Sequence, residues 1–549
     1  MLPSIRASVS PDTINRVGRL FNNSLPDALG ELLQNARRAG ATNVEIELRR
    51  DDHVVLSIAD DGIGIIDPAS VITLGRSDWD SSIATREDPA GMGMFSLAGH
   101  AVTIVSRHAD HANGWTVHIP ADAWDGSCDL PLEAADRSIG TTIEIRLPIA
   151  WDDHVDRLVS AAALHYPLPV HFNGAECKRE DWLADPIHRC EWHGSTIGIF
   201  AGEPRFSSAS LNFHGVTVPC RLPTVSEVSG GIGFHARVDI HDSPALQLVL
   251  PARKEAVEND ALTNLRVAVE RAIYLAIGQR PMHQLPYTAW TRARELGVKL
   301  SEAHPELHTW HPAIADSTSD LGLSKPIAAD GAILFAGTDP DTEQCIARAL
   351  SASPLRAQMA DELAAYRGYS WYDRLPRIDN FRFDVEHQGG TLSIADAATS
   401  PAITDHLLAT RITLRADLHD NGQVNPIVEE TDVALVSNPD YWDGLDAACI
   451  VYRDALTPDD LTDLLDAAYF SASNDVDCNS WESQHRDFVS DARQCAVKLL
   501  CGPDEAVCDQ FRRLLADNCW ILPKGASVQL SMADDYINVA LAREPAGAA

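Results

Sequence analysis

Apolar residues recur every three or four positions from Leu25 to Ala36, and this spacing predicts a helix over 25–39 with one buried face. Gly40 follows, and glycine is the residue that most often ends a helix. A shorter helix is predicted over residues 11–23, where a proline and an aspartate suit the first turn. Two helices therefore precede any strand.

The next part of the chain favours strands, since short apolar runs rich in β-branched residues alternate with polar turns. These runs are Val44–Leu48, Val54–Ile58, Val102–Val105, Trp115–Ile119 and Thr142–Leu147. Helices followed by several strands within one segment predict an α+β fold, with the helices on one face of a sheet. We assign this first domain to residues 1–150.

Residues 151–285 form a second predicted α/β domain, with short strands that include Leu246–Leu250 and a helix over Asp260–Ile277. A helical, proline- and histidine-rich connection over 286–320 then leads to a third domain, residues 321–540. That C-terminal domain is also α/β by its pattern, and its role is not assigned. A chain of 549 residues is too long for a single core.

The composition is 45% hydrophobic and 22% charged, which is typical of a globular protein. The formal net charge of −35 opposes non-specific binding to a nucleic-acid backbone, so no nucleic-acid partner is expected. No apolar run approaches the roughly 18 residues of a membrane span, and the first residues lack a secretory signal. A cytoplasmic location with no membrane partner is the expectation.

Four short segments of the first domain carry candidate chemistry. In the first, Glu31 and Asn35 are four residues apart on the predicted helix, so their side chains project from the same face. The amide oxygen of Asn35 suits Mg²⁺, and the carboxylate of Glu31 suits activation of a water molecule. The alternative is a polar face of a surface helix.

In the second segment an apolar strand leads into Asp60, and Gly62 and Gly64 follow. An aspartate held at a strand end accepts a hydrogen bond from an adenine amino group, and such a charge-assisted bond contributes about 1.5–3 kcal/mol. Glycines let the backbone pass close to a ligand. The alternative is an ordinary turn.

The third segment is a glycine pair that opens a predicted helix, where free backbone N–H groups favour phosphate. Its candidate residues are Gly91, Met92, Gly93, Met94 and Phe95. The polar stretch before it begins at Gly75 and Ser77 and is predicted to be a lid over bound phosphates. In the fourth segment the Thr141 hydroxyl, at a strand start, is a second contact for the base.

The order of these segments resembles the four conserved boxes of the gyrase, heat-shock-chaperone, histidine-kinase and MutL (GHKL) ATPase superfamily, especially its chaperone, MutL and sacsin-like branch. The residues that carry the resemblance are ELLQNARRAGAT, DDGIG, GMGMF and GTTIEIRL. The resemblance implies a Bergerat-type α/β sandwich over 1–150 and a transducer-like domain over 151–285. It implies that Glu31 is the general base, Asn35 the Mg²⁺ ligand, and Asp60 and Thr141 the adenine contacts.

Two features depart from that pattern. Arg38 stands where MutL-like and chaperone members usually carry an aspartate, and it is either a phosphate contact or a solvent-facing replacement. The chain has no lysine before Lys178, so a lysine for the γ-phosphate must come from outside the first domain. Lys254 or Arg253 is the predicted sensor, by resemblance to transducer domains; a solvent-exposed charge at a strand end is the alternative.

The predicted function is Mg²⁺-dependent binding and slow hydrolysis of ATP, which drives a lid and clamp switch of the chaperone type. A protein client is the expected partner, and pairing of two copies is left open. The alternatives are a nucleotide-sensing scaffold with negligible turnover and a MutL-like DNA-repair clamp. Histidine-kinase activity is disfavoured, because Glu31 replaces the asparagine of those enzymes and no phospho-accepting helix is found.

Overall fold

A computed structural model describes most of the chain. The described residues are 24–76, 79, 93–126, 128–148, 154–202, 209–228, 231–249, 255–316, 324–395, 403, 405–437, 445, 448–474, 479–516, 518–533 and 536–543. The predicted helix over 11–23 and five candidate site residues lie outside them. Those five are Ser77, Gly91, Met92, Arg253 and Lys254. The chain divides into two units, residues 1–303 and 304–549.

Helix α1 (Leu25–Arg38) starts the described part of the first unit, one residue shorter than predicted. Ser24 caps it by accepting a hydrogen bond from the backbone N–H of Asp27, which satisfies one of the donors that a helix start leaves free. Its apolar face is buried at every predicted position from Leu25 to Ala36. The apolar residues at the predicted spacing thus form the face that packs the helix against the sheet.

The first sheet has eight strands in the order β5-β4-β3-β6-β2-β1-β7-β8. The strands are β1 (Val44–Arg50), β2 (Val54–Asp60), β3 (Val102–Arg107), β4 (Gly114–Ile119), β5 (Leu132–Ala135), β6 (Gly140–Arg146), β7 (Val170–Phe172) and β8 (Ala175–Glu176). Helix α1 and helix α2 (Val155–Ala163) share one apolar core with this sheet. The predicted helix-and-sheet α+β architecture is confirmed.

Strands β7 and β8 extend the first sheet beyond the predicted boundary at residue 150. Strand β1 pairs in parallel with β7, where Val44 lies opposite Val170. The connection between them includes α2, as a parallel pair requires a crossover. The sheet that carries the candidate site therefore continues to Glu176.

A second sheet follows in the same unit, with α3 (Asp260–Gly278) and α4 (Tyr287–Glu295) contributing to its core. Its strands are β9 (His188–Trp192), β10 (Ser195–Ala201), β11 (Ala209–Phe213), β12 (Val216–Pro219), β13 (Val225–Ser226) and β14 (Gly233–Ile240). The predicted strand Leu246–Leu250 is wrong for the described residues, where only an isolated bridge joins Leu248 to Ala256.

The second unit is built on another eight-stranded sheet, which shares a core with helices α5 (Pro340–Ala349), α6 (Pro458–Tyr469) and α7 (Trp481–Cys501). Two short strands, β15 (Glu306–His308) and β16 (Pro326–Ala328), pair beside it. The sheet strands are β17 (Ile333–Phe335), β18 (Met359–Asp361), β19 (Arg377–His387), β20 (Gly390–Ile394), β21 (Leu407–Asp420), β22 (Gln423–Thr431), β23 (Val433–Ser437) and β24 (Ala448–Tyr452).

The second unit ends in helix α8 (Pro503–Ala516) and a hairpin of two strands, β25 (Ala526–Ala533) and β26 (Tyr536–Arg543). These two strands pair antiparallel with each other and form a separate two-stranded sheet. Across the described ranges of both units, no helix is long and apolar enough to cross a membrane.

Candidate nucleotide site

A cavity of about 170 Å³ lies where α1, the end of β2 and the start of β6 meet. Its walls include residues from all four of the predicted segments. Those residues are Glu31, Asn35, Arg38, Asp60, Gly64, Gly93, Met94 and Thr141. Segments far apart in the sequence therefore converge around one concave space.

Helix α1 supplies the polar wall of the cavity. The side chain of Glu31 is only 8% exposed although it is a carboxylate, and Asn35 lies one turn further along the same face. A Cβ atom added to Gly93 would lie 2.6 Å from Glu31 Oε2 and 3.8 Å from Asn35 Nδ2. The segment at Gly93 therefore packs directly against the two side chains predicted to carry the chemistry.

Arg38 faces the cavity from the last turn of α1. Its side chain is 8% exposed, and its Nη1 donates to Asn35 Oδ1 over 3.4 Å. The solvent-facing alternative does not fit this burial. A guanidinium group thus lies next to the amide oxygen that was predicted to bind a metal ion.

Asp60 and Thr141 are direct neighbours across β2 and β6, where the antiparallel register places them opposite each other. The backbone N–H of Gly62 donates to Asp60 Oδ1 over 3.0 Å, and Arg137 Nη2 donates to the Asp60 carbonyl over 3.4 Å. The Thr141 hydroxyl lies 3.0 Å from the buried Ser106 hydroxyl. Both predicted base contacts are therefore held in place by their neighbours.

Burial raises the pKa of Asp60 from 3.8 to about 6. The Gly62 N–H and the Arg137 charge lower this pKa, while the neighbouring Asp61 raises it. At neutral pH the ionised form still exceeds the protonated form by roughly tenfold. The side chain can thus accept a hydrogen bond at neutral pH and largely loses its charge below about pH 6.

Asp61, the second of the two adjacent aspartates, holds the end of β2 in place rather than lining the cavity. Asp61 accepts hydrogen bonds from the backbone N–H groups of Thr42 and Asn43, over 2.7 and 3.1 Å, and from the Thr42 hydroxyl over 2.5 Å. These bonds tie the end of β2 to the turn that follows α1. Of the two adjacent acids, only Asp60 lines the cavity.

The glycines after Asp60 allow close backbone approaches. Gly64 has a φ of +78°, and a Cβ there would lie 2.1 Å from the Arg107 carbonyl oxygen. A Cβ on Gly62 would lie 2.6 Å from the Cβ of Ala39, at the end of α1. Gly64 therefore lets the cavity wall reach β3. Gly62, although predicted to shape the pocket, does not line the cavity; it packs against the end of α1 and donates its backbone N–H to Asp60.

The structure corrects three expectations in the third segment. Phe95 does not line the cavity; it is 1% exposed and packs in the core against Trp124, with ring centroids 5.9 Å apart. The predicted helix at Gly93 is a five-residue 3₁₀-helix, Gly93–Leu97. Gly75 has open space around its Cα and is not in the cavity wall, although the next residue, Arg76, is.

Several wall residues were missed at the level of sequence. Five of them have apolar side chains and two are basic. The apolar residues are Ile63, Ile65, Ile66, Val71 and Trp79, and the basic ones are Arg76 and His108. Ile63 and Ile66 are 49% and 45% exposed, which is unusual for isoleucine. The available signal was the apolar run beside the glycines, since an apolar rim suits the flat face of a base.

Residues 22–150 match the Histidine kinase-, DNA gyrase B-, and HSP90-like ATPase family. This range contains α1, the six strands β1–β6 and every described residue of the cavity wall. The chain carries a GHKL ATPase domain. The predicted recognition is thereby confirmed for the N-terminal domain, together with its nucleotide-binding character.

The relatives of this GHKL domain include DNA mismatch repair proteins MutL. That of Thiobacillus denitrificans is 35% identical over 127 residues, which cover 22% of this chain and 20% of that protein. That of Aeromonas hydrophila is 28% identical over 124 residues, covering 21% and 19%. The chain thus matches about one fifth of the length of these proteins.

Solved structures similar to this chain include the Aquifex aeolicus MutL ATPase domain complexed with ADP. It is 16% identical, covers 40% of this chain and 92% of its own, and aligns with a TM-score of 0.26. The N-terminal domain of a DNA repair protein is 17% identical, with coverages of 30% and 53% and a TM-score of 0.22.

Proposed function

We propose that the GHKL domain binds ATP with Mg²⁺ and hydrolyses it slowly, and that this cycle switches the conformation of the first unit. The observation that carries the proposal is the convergence of Glu31, Asn35 and Asp60 on one cavity, with Gly93 packed against the first two. Each group has the chemistry that one part of a purine triphosphate requires.

The adenine end of the site is Asp60 with Thr141. A half-buried carboxylate at a strand end accepts a hydrogen bond from the exocyclic amino group of adenine, and the adjacent hydroxyl supplies a second polar contact. Such a bond discriminates against guanine, which presents a carbonyl oxygen at that position. The exposed apolar side chains of Ile63 and Ile66 suit the flat faces of the base.

The phosphate end of the site is the polar face of α1. In this proposal Glu31 accepts a proton from the attacking water. Bound Mg²⁺ would neutralise phosphate charge, and the Asn35 amide oxygen would be its protein ligand. The described residues contain no cluster of three acidic, histidine or cysteine ligands, and a single amide fits Mg²⁺ because this ion keeps several waters and takes phosphate oxygens as ligands.

Two contacts hold α1 in the first unit. Tyr166 donates to the Leu33 carbonyl over 2.6 Å within the core of the first sheet, and Gln34 Nε2 donates to the His214 carbonyl over 2.8 Å, in the turn between β11 and β12. The Gln34 contact connects the helix with the nucleotide face to the second sheet, and this supports a conformational role for α1. Lys254, predicted to sense the γ-phosphate, lies outside the described residues, and its role stays part of the proposal.

The test of hydrolysis compares Glu31→Gln with wild type and with Glu47→Gln, an exposed glutamate on β1. Loss of a general base lowers turnover by about 100-fold or more, so E31Q should lose phosphate release while ATP binding, followed by fluorescent-nucleotide titration, stays within about threefold. E47Q should retain wild-type turnover. Equal phosphate release by E31Q and wild type removes the catalytic assignment.

A second candidate function is a nucleotide sensor with negligible turnover, and Arg38 favours it. Its guanidinium donates to Asn35 Oδ1 and so places a fixed positive charge beside the predicted metal ligand. A cation there both repels Mg²⁺ and attracts phosphate. The sensor predicts ATP binding that depends on Asp60 and Arg38 but hardly on Mg²⁺.

Titration of ATP in Mg²⁺ and in excess chelator separates the two functions. A hydrolase should bind ATP at least about tenfold more weakly without Mg²⁺, whereas a sensor should bind equally in both. Arg38→Asp should increase the Mg²⁺ dependence in either case, because it restores a carboxylate beside Asn35. Arg50→Asp, at an exposed end of β1, is the matched charge control.

The client of the switch is a separate part of the proposal. We favour a protein client, as in chaperone-like ATPases, because a net charge of −35 opposes binding to a phosphate backbone. The MutL relatives act in DNA mismatch repair by their names, so a DNA-repair clamp is the competing proposal. Tight duplex binding that weakens steeply with salt would decide for DNA.

A further inference from the structure

His108 is a buried polar residue of the cavity wall that the proposed nucleotide contacts do not use. It follows β3 directly, it is only 9% exposed, and it lines the cavity. Burial of a polar side chain costs free energy unless its polar atoms have hydrogen-bond partners. The partners of the two ring nitrogens of His108 therefore show what this residue is placed to do.

Only one of the two ring nitrogens has a partner in the described part of the chain. The backbone N–H of Asp110 donates to His108 Nδ1 over 3.1 Å. Nε2 makes no hydrogen bond with the described residues, yet those residues do not enclose it fully. Because the ring lines the cavity, Nε2 is open to a ligand that fills this space.

The contact with Asp110 makes Nε2 a hydrogen-bond donor. A neutral imidazole carries one hydrogen, and a nitrogen that accepts a hydrogen bond does not hold it, so the hydrogen lies on Nε2. In the protonated ring the added hydrogen on Nδ1 lies near the Asp110 carboxylate, whose Oδ2 is 3.6 Å away, and Nε2 keeps its own. The partner of Nε2 must therefore be an acceptor in both forms.

The register of the first sheet places His108 on the face that holds the proposed base contacts. Asp60 lies opposite Thr141, and Thr141 lies opposite Ser106 on β3. His108 is two residues beyond Ser106, and side chains two residues apart along a strand share a face. The alternating burial of β3, which begins at Val102, continues to His108. The cavity thus has a second polar position on the same face as the first.

The separation of the two positions suits opposite edges of an adenine base. Two strand spacings across the sheet and two residues along β3 put the Cα atoms of Asp60 and His108 about 12 Å apart. Adenine with one hydrogen bond to its amino group and one to N3, across the six-membered ring, spans about 10 Å. N1 and N7 lie nearer the amino group and so on the side of Asp60. The acceptor that suits Nε2 is therefore N3.

We propose that His108 Nε2 donates a hydrogen bond to N3 of the bound adenine. This inference rests on the proposed binding of ATP and adds a third polar contact to those of Asp60 and Thr141. His108 recognises a nitrogen of the purine ring, whereas Asp60 recognises the exocyclic amino group. A purine with carbon in place of N3 therefore lacks one contact of the site.

The test compares binding of ATP and of 3-deaza-ATP, in which a C–H group replaces N3, to the full chain by calorimetric titration. A neutral hydrogen bond is worth about 3–10-fold in affinity, so wild type should bind 3-deaza-ATP more weakly by that factor. His108→Phe keeps a ring in the cavity wall and removes the donor. It should lose the same factor for ATP and bind both nucleotides within about twofold.

Three controls separate a contact with N3 from a general weakening of the site. His108→Gln retains an N–H donor and should recover part of the preference for ATP. His118→Ala removes an exposed histidine of β4 outside the cavity wall and should bind both nucleotides as wild type does. 7-deaza-ATP, which lacks N7, should lose equal affinity in wild type and in H108F.

Each outcome decides the inference. Equal binding of ATP and 3-deaza-ATP by wild type overturns it, and so does a preference for ATP that persists unchanged in H108F. A loss with 7-deaza-ATP that disappears in H108F places the donor at N7 and overturns it as well. A wild-type chain that binds no ATP removes the proposed function and this inference together, whereas one that binds ATP without the preference removes only the contact of His108.

Discussion

Burial stabilises the protonated form of the Asp60 carboxyl group. Ionisation of this group therefore lowers the stability of the fold, although nucleotide binding is proposed to need the ionised form. Its pKa is raised from 3.8 to about 6, so the native state holds its proton more tightly than the unfolded chain. This contribution to stability is full below about pH 3.8 and is lost as the pH rises through 6. The ionised form, which the proposed adenine contact requires, is thus the form that destabilises the fold.

Asp60→Asn should therefore separate binding from stability. The neutral amide still accepts the Gly62 N–H but lacks the charge, so ATP affinity should fall about tenfold or more. At pH 8 the free energy of unfolding of the variant should exceed that of wild type by about 1–3 kcal/mol, so the variant unfolds at a higher urea concentration. This gain should vanish toward pH 4. Urea titrations at several pH values measure it.

Asp51→Asn, at an exposed turn, is the control and should show no pH-dependent gain. A D60N gain that persists unchanged at pH 4 contradicts the assigned pKa. For the same reason, ATP affinity of the wild type should weaken as the pH falls below about 6.

Arg38 shows how one position alters an inherited site. Its burial against Asn35 places a cation where the resemblance led us to expect an aspartate. The sequence showed this substitution but did not show whether the Arg38 side chain contacts phosphate or points into solvent. The direction of a long side chain at a helix end depends on what packs around it.

Helix α1 combines two faces with different roles. Its apolar residues hold it to the first sheet, while Glu31 and Asn35 face the cavity and Gln34 reaches the second sheet. A shift of this helix on nucleotide binding would therefore change its contacts with both sheets of the first unit.

The contact between α1 and the Gly93 segment gives a direct prediction. In Gly93→Ala the new Cβ would lie 2.6 Å from Glu31 Oε2, and the flexible carboxylate should move aside rather than unfold the domain. We expect turnover to fall about tenfold or more, with a loss of stability below about 1.5 kcal/mol. Phosphate release and urea unfolding measure the two effects.

Gly30→Ala is the matched control on the same helix. Nothing lies within 4 Å of its Cβ position, so alanine should stabilise α1 by about 0.5–1 kcal/mol without changing turnover. Equal turnover of G93A and G30A would show that the carboxylate of Glu31 does not act in hydrolysis as placed.

The two units of the molecule should unfold separately, since each has its own apolar core. On the proposed function ATP binds the unit that holds the GHKL domain, so it should raise the calorimetric transition of that unit and leave the other in place. At 100 times the dissociation constant the added stability is about 2.7 kcal/mol. D60N should lose this shift, and a shift of both transitions together would contradict independent unfolding.

Much of the first domain follows from short-range pattern. The spacing of Leu25 to Ala36 located α1, and the alternation around Val44 and Val54 located β1 and β2, because these periodicities report which side of one element is buried. The positions of Glu31, Asn35 and Asp60 within the site followed from the same elements and from the resemblance.

Long strands of the second unit were not predicted. Arg377–His387 and Gln423–Thr431 carry many polar residues. The latter contains Pro426, which an edge strand tolerates, and among the described residues Gln423–Thr431 pairs with β21 only. Strand propensity depends on which neighbours a chain segment meets, and those neighbours lie far away in sequence.

Residue spacing alone determined the type and the buried face of α1, β1 and β2 beside the cavity, but not the type of the segment at Gly93, which is a 3₁₀-helix rather than the predicted helix. The neighbour of Asp60 across the sheet, the core position of Phe95, the burial of Arg38 and the fit of Gly93 against Glu31 were decided by packing. The physical reason is that periodicity encodes burial within a segment, whereas contacts between distant segments arise only when their surfaces are brought together.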